Sequence, residues 1–290
     1  MFERTIVAFD GSNRSEDALA LALRLRDQAT GALILACVGV PHGTWHVPGR
    51  GERIAGEEAE QVAAMIVEAR HRIAPGIGVQ ARAPLAASPA RGLTELAEDE
   101  DADLLVVGSS RRAPSGRIAL ERTAGRLLHG APCAVAIAPA DAREAGAFRH
   151  IGIAYDGSPE ARAALAAGYA LAARDGAAVT LLHALPAAPP AASSATQSSE
   201  RAQRLDASPA HEALDAAAGA APDGVIPQTV LLHGEPGRAI ADACDGIVDL
   251  VVCGSRGYGP LRHALVGSVS AAIIENASHP VLVLPRPTAA

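Results

Sequence analysis

Apolar residues along the chain gather into short continuous blocks of five to eight, separated by longer stretches with helical spacing. The blocks fall near 4–9, 32–39, 77–83, 103–108 and 133–138, and again near 150–155, 178–184, 225–232, 249–254 and 280–285. Continuous rather than alternating blocks predict strands covered on both faces. Helices are predicted between them, near 14–29, 54–73, 90–101 and 121–130, then 159–174, 200–219, 237–247 and 268–277. In the first, Ala18, Leu21, Ala22 and Leu25 form one apolar stripe. Alternating strands and helices with right-handed crossovers predict an α/β fold, an open five-stranded parallel sheet with helices on both faces.

The pattern occurs twice. A shift of 146 residues lays Thr5-Ile6-Val7-Ala8-Phe9-Asp10-Gly11-Ser12 on Ile151-Gly152-Ile153-Ala154-Tyr155-Asp156-Gly157-Ser158. It also lays Asp103 to Ser109 on Asp249 to Ser255, and each half closes with a proline-led strand at Pro132 or Pro280. The reading is two tandem repeats, residues 1–140 and 150–290, joined by a linker at 141–149 that is polar and rich in Ala and Gly. Residues 186–199 are rich in Pro, Ala and Ser and read as a loop. Trp45, the only tryptophan, reads as ordinary packing.

Composition narrows the function classes. The 290 residues are 49% hydrophobic but only 2% aromatic, so the cores must be aliphatic. All 25 basic residues are arginine, which removes a Walker lysine and a Schiff-base lysine. The net charge of −7 argues against nucleic-acid binding, which needs a basic footprint. Four cysteines without CxxC spacing, three of them in or beside apolar strand-like runs, read as buried free thiols rather than a metal site. No apolar run reaches ~18 residues, and the first strand follows Met1 without a basic-then-apolar leader. The expectation is a cytoplasmic protein with no membrane partner.

The chemistry is carried by a glycine pattern. Residues 254–268 read Gly254-Ser255-Arg256-Gly257, nine residues, then Gly267-Ser268 at the start of the last helix. Such glycines let backbone N–H groups approach a phosphate chain at a strand's carboxyl end and a helix N-terminus. Open α/β sheets bind ligands there, and the ends of the first, second and fourth strands converge, bringing Asp156, Leu182-His183-Ala184 and Gly254. Each residue also has a plainer reading. Asp156 can shape the turn or cap the following helix, Ser268 can be only an N-cap, and His183 can be a structural histidine. Arg256, Arg262 and His263 either assist phosphates or lie solvated.

These residues resemble the universal stress protein family in its tandem form. Asp156, Gly254-Ser255-Arg256-Gly257 and Gly267-Ser268-Val269-Ser270 carry the likeness, and it covers nearly the whole chain. The resemblance implies a Rossmann-like fold of the adenine nucleotide alpha hydrolase type and membership of the ATP-binding branch, which has no P-loop. It implies that Asp156 meets ribose or base and that His183 and Ala184 meet adenine through backbone groups. Gly254, Gly257, Gly267 and Ser268 would then surround the phosphates, with Val269 and Ser270 completing the helix start and Arg256 either assisting the phosphates or lying solvated. ATP is the implied ligand, with Mg²⁺ only as companion of its phosphates; AMP or another adenine nucleotide stays open. The role implied is a stress-response regulatory module with an unidentified protein partner. Pairing of the two halves within the chain is expected, and a homodimer of whole chains stays open. The alternative is a slow ATPase or nucleotidyl-transfer enzyme, for which no base–nucleophile pair stands out, so no catalytic residue is assigned.

The first half keeps Asp10 and Gly108 but puts Arg111, Glu121 and Arg122 where the second half has Gly257, Gly267 and Ser268. A carboxylate at 121 would repel a phosphate by ~4 kcal/mol per unit pair at ~4 Å and an effective dielectric near ~20. One nucleotide per chain is therefore expected. Arg111, Arg112 and Arg122 would either pair with Glu121 or attract a different anion.

Overall fold

A computed structural model describes residues 1–40, 64, 67–70, 73, 76–120, 122–143, 146–187, 196–255 and 267–285. The chain divides into two compact units, Met1–Gly146 and Ala147–Ala290. The first runs β1 (Arg4–Ala8), α1 (Asn13–Leu25), β2 (Ala32–Ala36), β3 (Val79–Arg82), α2 (Pro89–Asp99), β4 (Leu104–Gly108), α3 (Arg122–Gly130) and β5 (Ala134–Ala138). The second runs β6 (His150–Ala154), α4 (Pro159–Asp175), β7 (Ala178–Leu185), α5 (Thr196–Gly219), β8 (Pro227–His233), α6 (Pro236–Cys244), β9 (Leu250–Gly254), α7 (Ser268–Asn276) and β10 (Val281–Leu284).

Within each unit the strands pair in parallel, in the order β3-β2-β1-β4-β5 and β8-β7-β6-β9-β10. The fold is therefore the expected doubly wound α/β architecture, twice. Strand order reverses between β1 and β4 and between β6 and β9, and the crevice of such a sheet opens at that reversal. The central strands β1, β4, β6 and β9 are apolar and buried, with Ile6, Val7, Leu104, Leu105, Ile151, Ile153, Leu250 and Val251 inaccessible to solvent. The α1 stripe of Ala18, Leu21, Ala22 and Leu25 is buried as its spacing predicts.

Several boundaries differ from the expected ones. Helix α1 ends at Leu25, not 29, because Asp27 organises a polar turn there. Asp27 accepts from the N–H groups of Ala29 and Thr30 and pairs with the Met1 amine at 3.0 Å. Residues 196–199, expected to be loop, open α5 instead, while 188–195 lie outside the described residues. Trp45 and most of the expected helix 54–73 also lie outside them. The buried thiols are Cys133, Cys244 and Cys253; Cys37, at the end of β2, is partly exposed. Cys244 was not placed in a strand by its sequence context, and its burial comes from the inner face of α6.

Part of the expected linker is fastened to the first unit. Asp17 on α1 is completely buried. Its carboxylate accepts from the Asp141 N–H at 2.9 Å and pairs with Arg143 Nε at 2.9 Å and Arg14 at 3.3 Å. A buried carboxylate is tolerable only when it is paired and hydrogen-bonded in this way. The second half has Ala163 at the corresponding position, so the clasp exists once.

Candidate functional site

Each unit has a cleft at its switch point, built by the same local rules. The turn after the first strand is an Asx turn: Asp10 Oδ1 accepts from the Ser12 N–H at 3.0 Å, and Asp156 Oδ1 from the Ser158 N–H at 3.0 Å. Ser12 and Ser158 then cap the following helices through the N–H groups of Ser15 and Ala161. The aspartates thus shape the turn while the serines do the capping, and each aspartate keeps Oδ2 directed elsewhere.

In the second unit the cleft measures about 270 Å³. It brings together Asp156, His183, Ala184, Gly254, Val269 and Ser270, six of the residues singled out from sequence. Gly267 and Ser268 lie at the start of α7 but outside this lining, and Arg256 and Gly257 lie outside the described residues. Asp156 Oδ2 has no hydrogen-bond partner among the described residues. The Tyr155 N–H donates to the Leu182 carbonyl, so the backbone of Leu182 faces β6. Ala184, two residues on, faces the same side, where β6 has already ended. Its backbone amide and carbonyl therefore edge the cleft.

The start of α7 is distinctive. Ser12, Ser88, Ser158 and Glu235 supply side-chain caps to α1, α2, α4 and α6. Helix α7 has Gly267 as its N-cap residue and no side-chain cap among the described residues. Its first N–H groups carry the positive end of the helix dipole toward this end of the sheet. Ser270 is less available than its position suggests, since its hydroxyl donates to the Gly254 carbonyl at 2.7 Å and latches α7 to β9.

Gly254 has a packing reason for being glycine. A Cβ there would stand 2.6 Å from the Glu160 carbonyl carbon in the first turn of α4. At Gly108 in the first unit a Cβ would stand 2.7 Å from the Arg14 carbonyl carbon. Within the glycine pattern of residues 254–268, the glycine common to both halves is the one the βα packing demands, and Gly257 and Gly267 are the ones that vary.

Electrostatics sharpen the site. Burial pulls the His183 imidazole below its ordinary value, against the opposing field of Asp156 and a backbone hydrogen bond to Tyr155. The ring is accordingly neutral at pH 7. Cys253, on the cleft floor, is pushed up to about 12 by burial and is no nucleophile. Sequence reasoning missed Pro236 and Ile240, whose apolar surface walls the cleft from α6. Ile240 carried a signal in the helical spacing of α6; the tertiary position of that helix did not. No group of three or more His, Cys, Asp or Glu side chains able to hold a metal occurs among the described residues.

The first unit's cleft is slightly larger, about 310 Å³, and includes Asp10, Cys37, Val38, Gly108 and Arg111. Here Asp10 Oδ2 is taken: Arg111 pairs with it at 2.8 Å. Burial alone would raise the Asp10 carboxyl, but bonds from Ser12 and Arg111 together hold it below its ordinary value. Pairing of Arg111 with Glu121 was one expectation; the structure pairs Arg111 with Asp10, while Glu121 lies outside the described residues.

Comparison with known proteins fits the repeat and the fold. The model of the universal stress protein family matches residues 1–139 and 147–285. A universal stress protein of Mycobacterium tuberculosis is 27% identical over 293 residues, covering 97% of this chain and 99% of that protein. The crystal structure of a universal stress protein from Archaeoglobus fulgidus covers 99% of this chain and 100% of its own, at 17% identity and a TM-score of 0.69. Another from Archaeoglobus fulgidus, solved in complex with dAMP, covers 48% of this chain and 99% of its own at 24% identity; its TM-score of 0.36 is too low to transfer the ligand.

Proposed function

Because the chain belongs to the universal stress protein family, we propose that its second unit binds one adenine nucleotide and works as a nucleotide-sensing regulatory module. ATP is the first candidate, with AMP or another adenine nucleotide as alternatives. Asp156 Oδ2 accepts from a ribose hydroxyl or the base, and the Ala184 backbone meets the adenine edge. The phosphates lie toward Gly267, Ser268, Val269 and Ser270, and the sequence motif adds Gly257 and Arg256 to that group. Any Mg²⁺ arrives on the phosphates, since the described residues offer it no ligand set.

The observation that carries this reading is the pairing, at one end of one sheet, of a carboxylate oxygen without a hydrogen-bond partner and a helix start without a side-chain cap, both among the described residues. Each is a group that calls for a ligand, one a donor and the other an anion. The apolar wall from Ile240 and Val269 suits a flat base. Mass spectrometry of ligand released from undialysed protein, followed by calorimetric titration with ATP, tests the proposal. One site per chain is expected; two equivalent sites, or none for any adenine nucleotide, would sink it.

A further inference from the structure

Beside the first unit's switch-point cleft lies a second, larger cavity of about 810 Å³. The two share Pro89, Arg111 and Thr123. The larger cavity is also lined by Arg112 and Arg126, so three arginines border one space, with no carboxylate among the described residues of its lining. Asp10, in the adjoining cleft, offsets one of the three through Arg111. Arg112 and Arg126 have no side-chain partner among the described residues. This local excess of positive charge is opposite in sign to the chain's net charge of −7.

The second half does not share it. Arg111, Arg112 and Arg126 correspond to Gly257, Tyr258 and Ala272. The substitutions therefore do more than remove a nucleotide grip. Arg111 ties up the carboxylate that would otherwise meet an adenosine, and the basic groups gather on the side where phosphates would lie. Helix α2 starts on the same lining at Ser88 and Pro89, adding the positive end of its dipole.

We propose that the first unit binds a compact phosphate-bearing anion without an adenosine moiety, held by Arg111, Arg112 and Arg126. Guanidinium forks suit phosphate oxygens bidentately, and three of them with one charge offset by Asp10 suit a dianion. This site is independent of the nucleotide proposed for the second unit.

Calorimetric titration of the full chain at low salt with inorganic pyrophosphate, and separately with ribose 5-phosphate, tests it. The Gly267→Glu variant, which disables the second unit's helix start, is expected to keep the site. Adding Arg112→Gln and Arg126→Gln to that variant, both at exposed positions, should weaken binding by at least about tenfold. Pyrophosphate binding alone assigns an inorganic ligand, and ribose 5-phosphate binding assigns a sugar phosphate. Binding of neither probe to Gly267→Glu, or binding indifferent to the two arginine substitutions, overturns the proposal. An ATP titration of the Arg112→Gln/Arg126→Gln double variant reports on the other unit separately.

Discussion

The two units share a fold, an Asx turn and a packing glycine, yet treat the same aspartate oppositely. Among the described residues Asp156 keeps one carboxylate oxygen without a hydrogen-bond partner, whereas Asp10 gives that oxygen to Arg111 at 2.8 Å. The scaffold residues are common because the backbone requires them. Gly108 and Gly254 each let a strand end pass a helix's first turn, and the Ser12 and Ser158 side chains each accept from one N–H group of that turn. Residues beyond those requirements are free to diverge, and there the halves part. Survival of a motif's first glycine is thus no sign of a surviving ligand.

The largest effect should come from making the second unit resemble the first. Gly267→Glu places a carboxylate at the α7 start and should weaken ATP binding by about 4 kcal/mol, roughly three orders of magnitude, in a calorimetric titration. Affinity unchanged within threefold would remove α7 from the site.

The clasp present in only one unit comes next. Asp17→Ala leaves Arg14 and Arg143 facing an empty, buried position and should destabilise the first unit by about 3 kcal/mol in denaturant unfolding. ATP affinity of the second unit should not move. A stability loss under about 0.5 kcal/mol would show that the clasp is incidental.

Gly108→Ala and Gly254→Ala test the packing account of the common glycine. Both should destabilise by about 2 kcal/mol, because the new Cβ meets helix backbone that cannot rotate away. If only Gly254→Ala matters, and only for ligand binding, the packing account is wrong.

The smallest effect is a pH dependence peculiar to the second unit, where His183 stands in place of Cys37. Burial lowers the folded-state value of His183 below its ordinary 6.5, so the unfolded chain binds more protons just below that pH. The stability this neutral ring contributes is present above 6.5 and is lost as pH falls below it. His183→Gln should flatten the difference between unfolding midpoints measured at about pH 8 and about pH 5. An unchanged difference would show that other groups set the acid sensitivity.

Much of this molecule is legible in its sequence. Continuous apolar blocks mark the central strands as covered on both faces, and the 146-residue repeat shows two copies of one fold. The edge strands β3 and β8 stay partly exposed because each has a neighbour on one side only within its unit. Asp156, His183, Ala184, Gly254, Val269 and Ser270 were legible as neighbours because strand ends converge in an open parallel sheet. The roles were less legible. Ser270 looked like a phosphate ligand but spends its hydroxyl on the Gly254 carbonyl. Asp17 sits at a helical position that periodicity assigns to the core, and only its partners 124 and 126 residues away explain a buried charge there.

The sequence by itself determined the number of units, the strand–helix alternation and the end of each sheet where a ligand would sit. These follow from local periodicity and from turn chemistry, which act over a few residues. Only the tertiary structure decided that Arg111 closes on Asp10, that the common glycine answers to helix packing, and that three arginines line one cavity. The first two depend on which groups a parallel sheet brings together across about a hundred residues of chain, and the third on how one loop and the helix after it are folded back beside α2; local spacing carries no record of either.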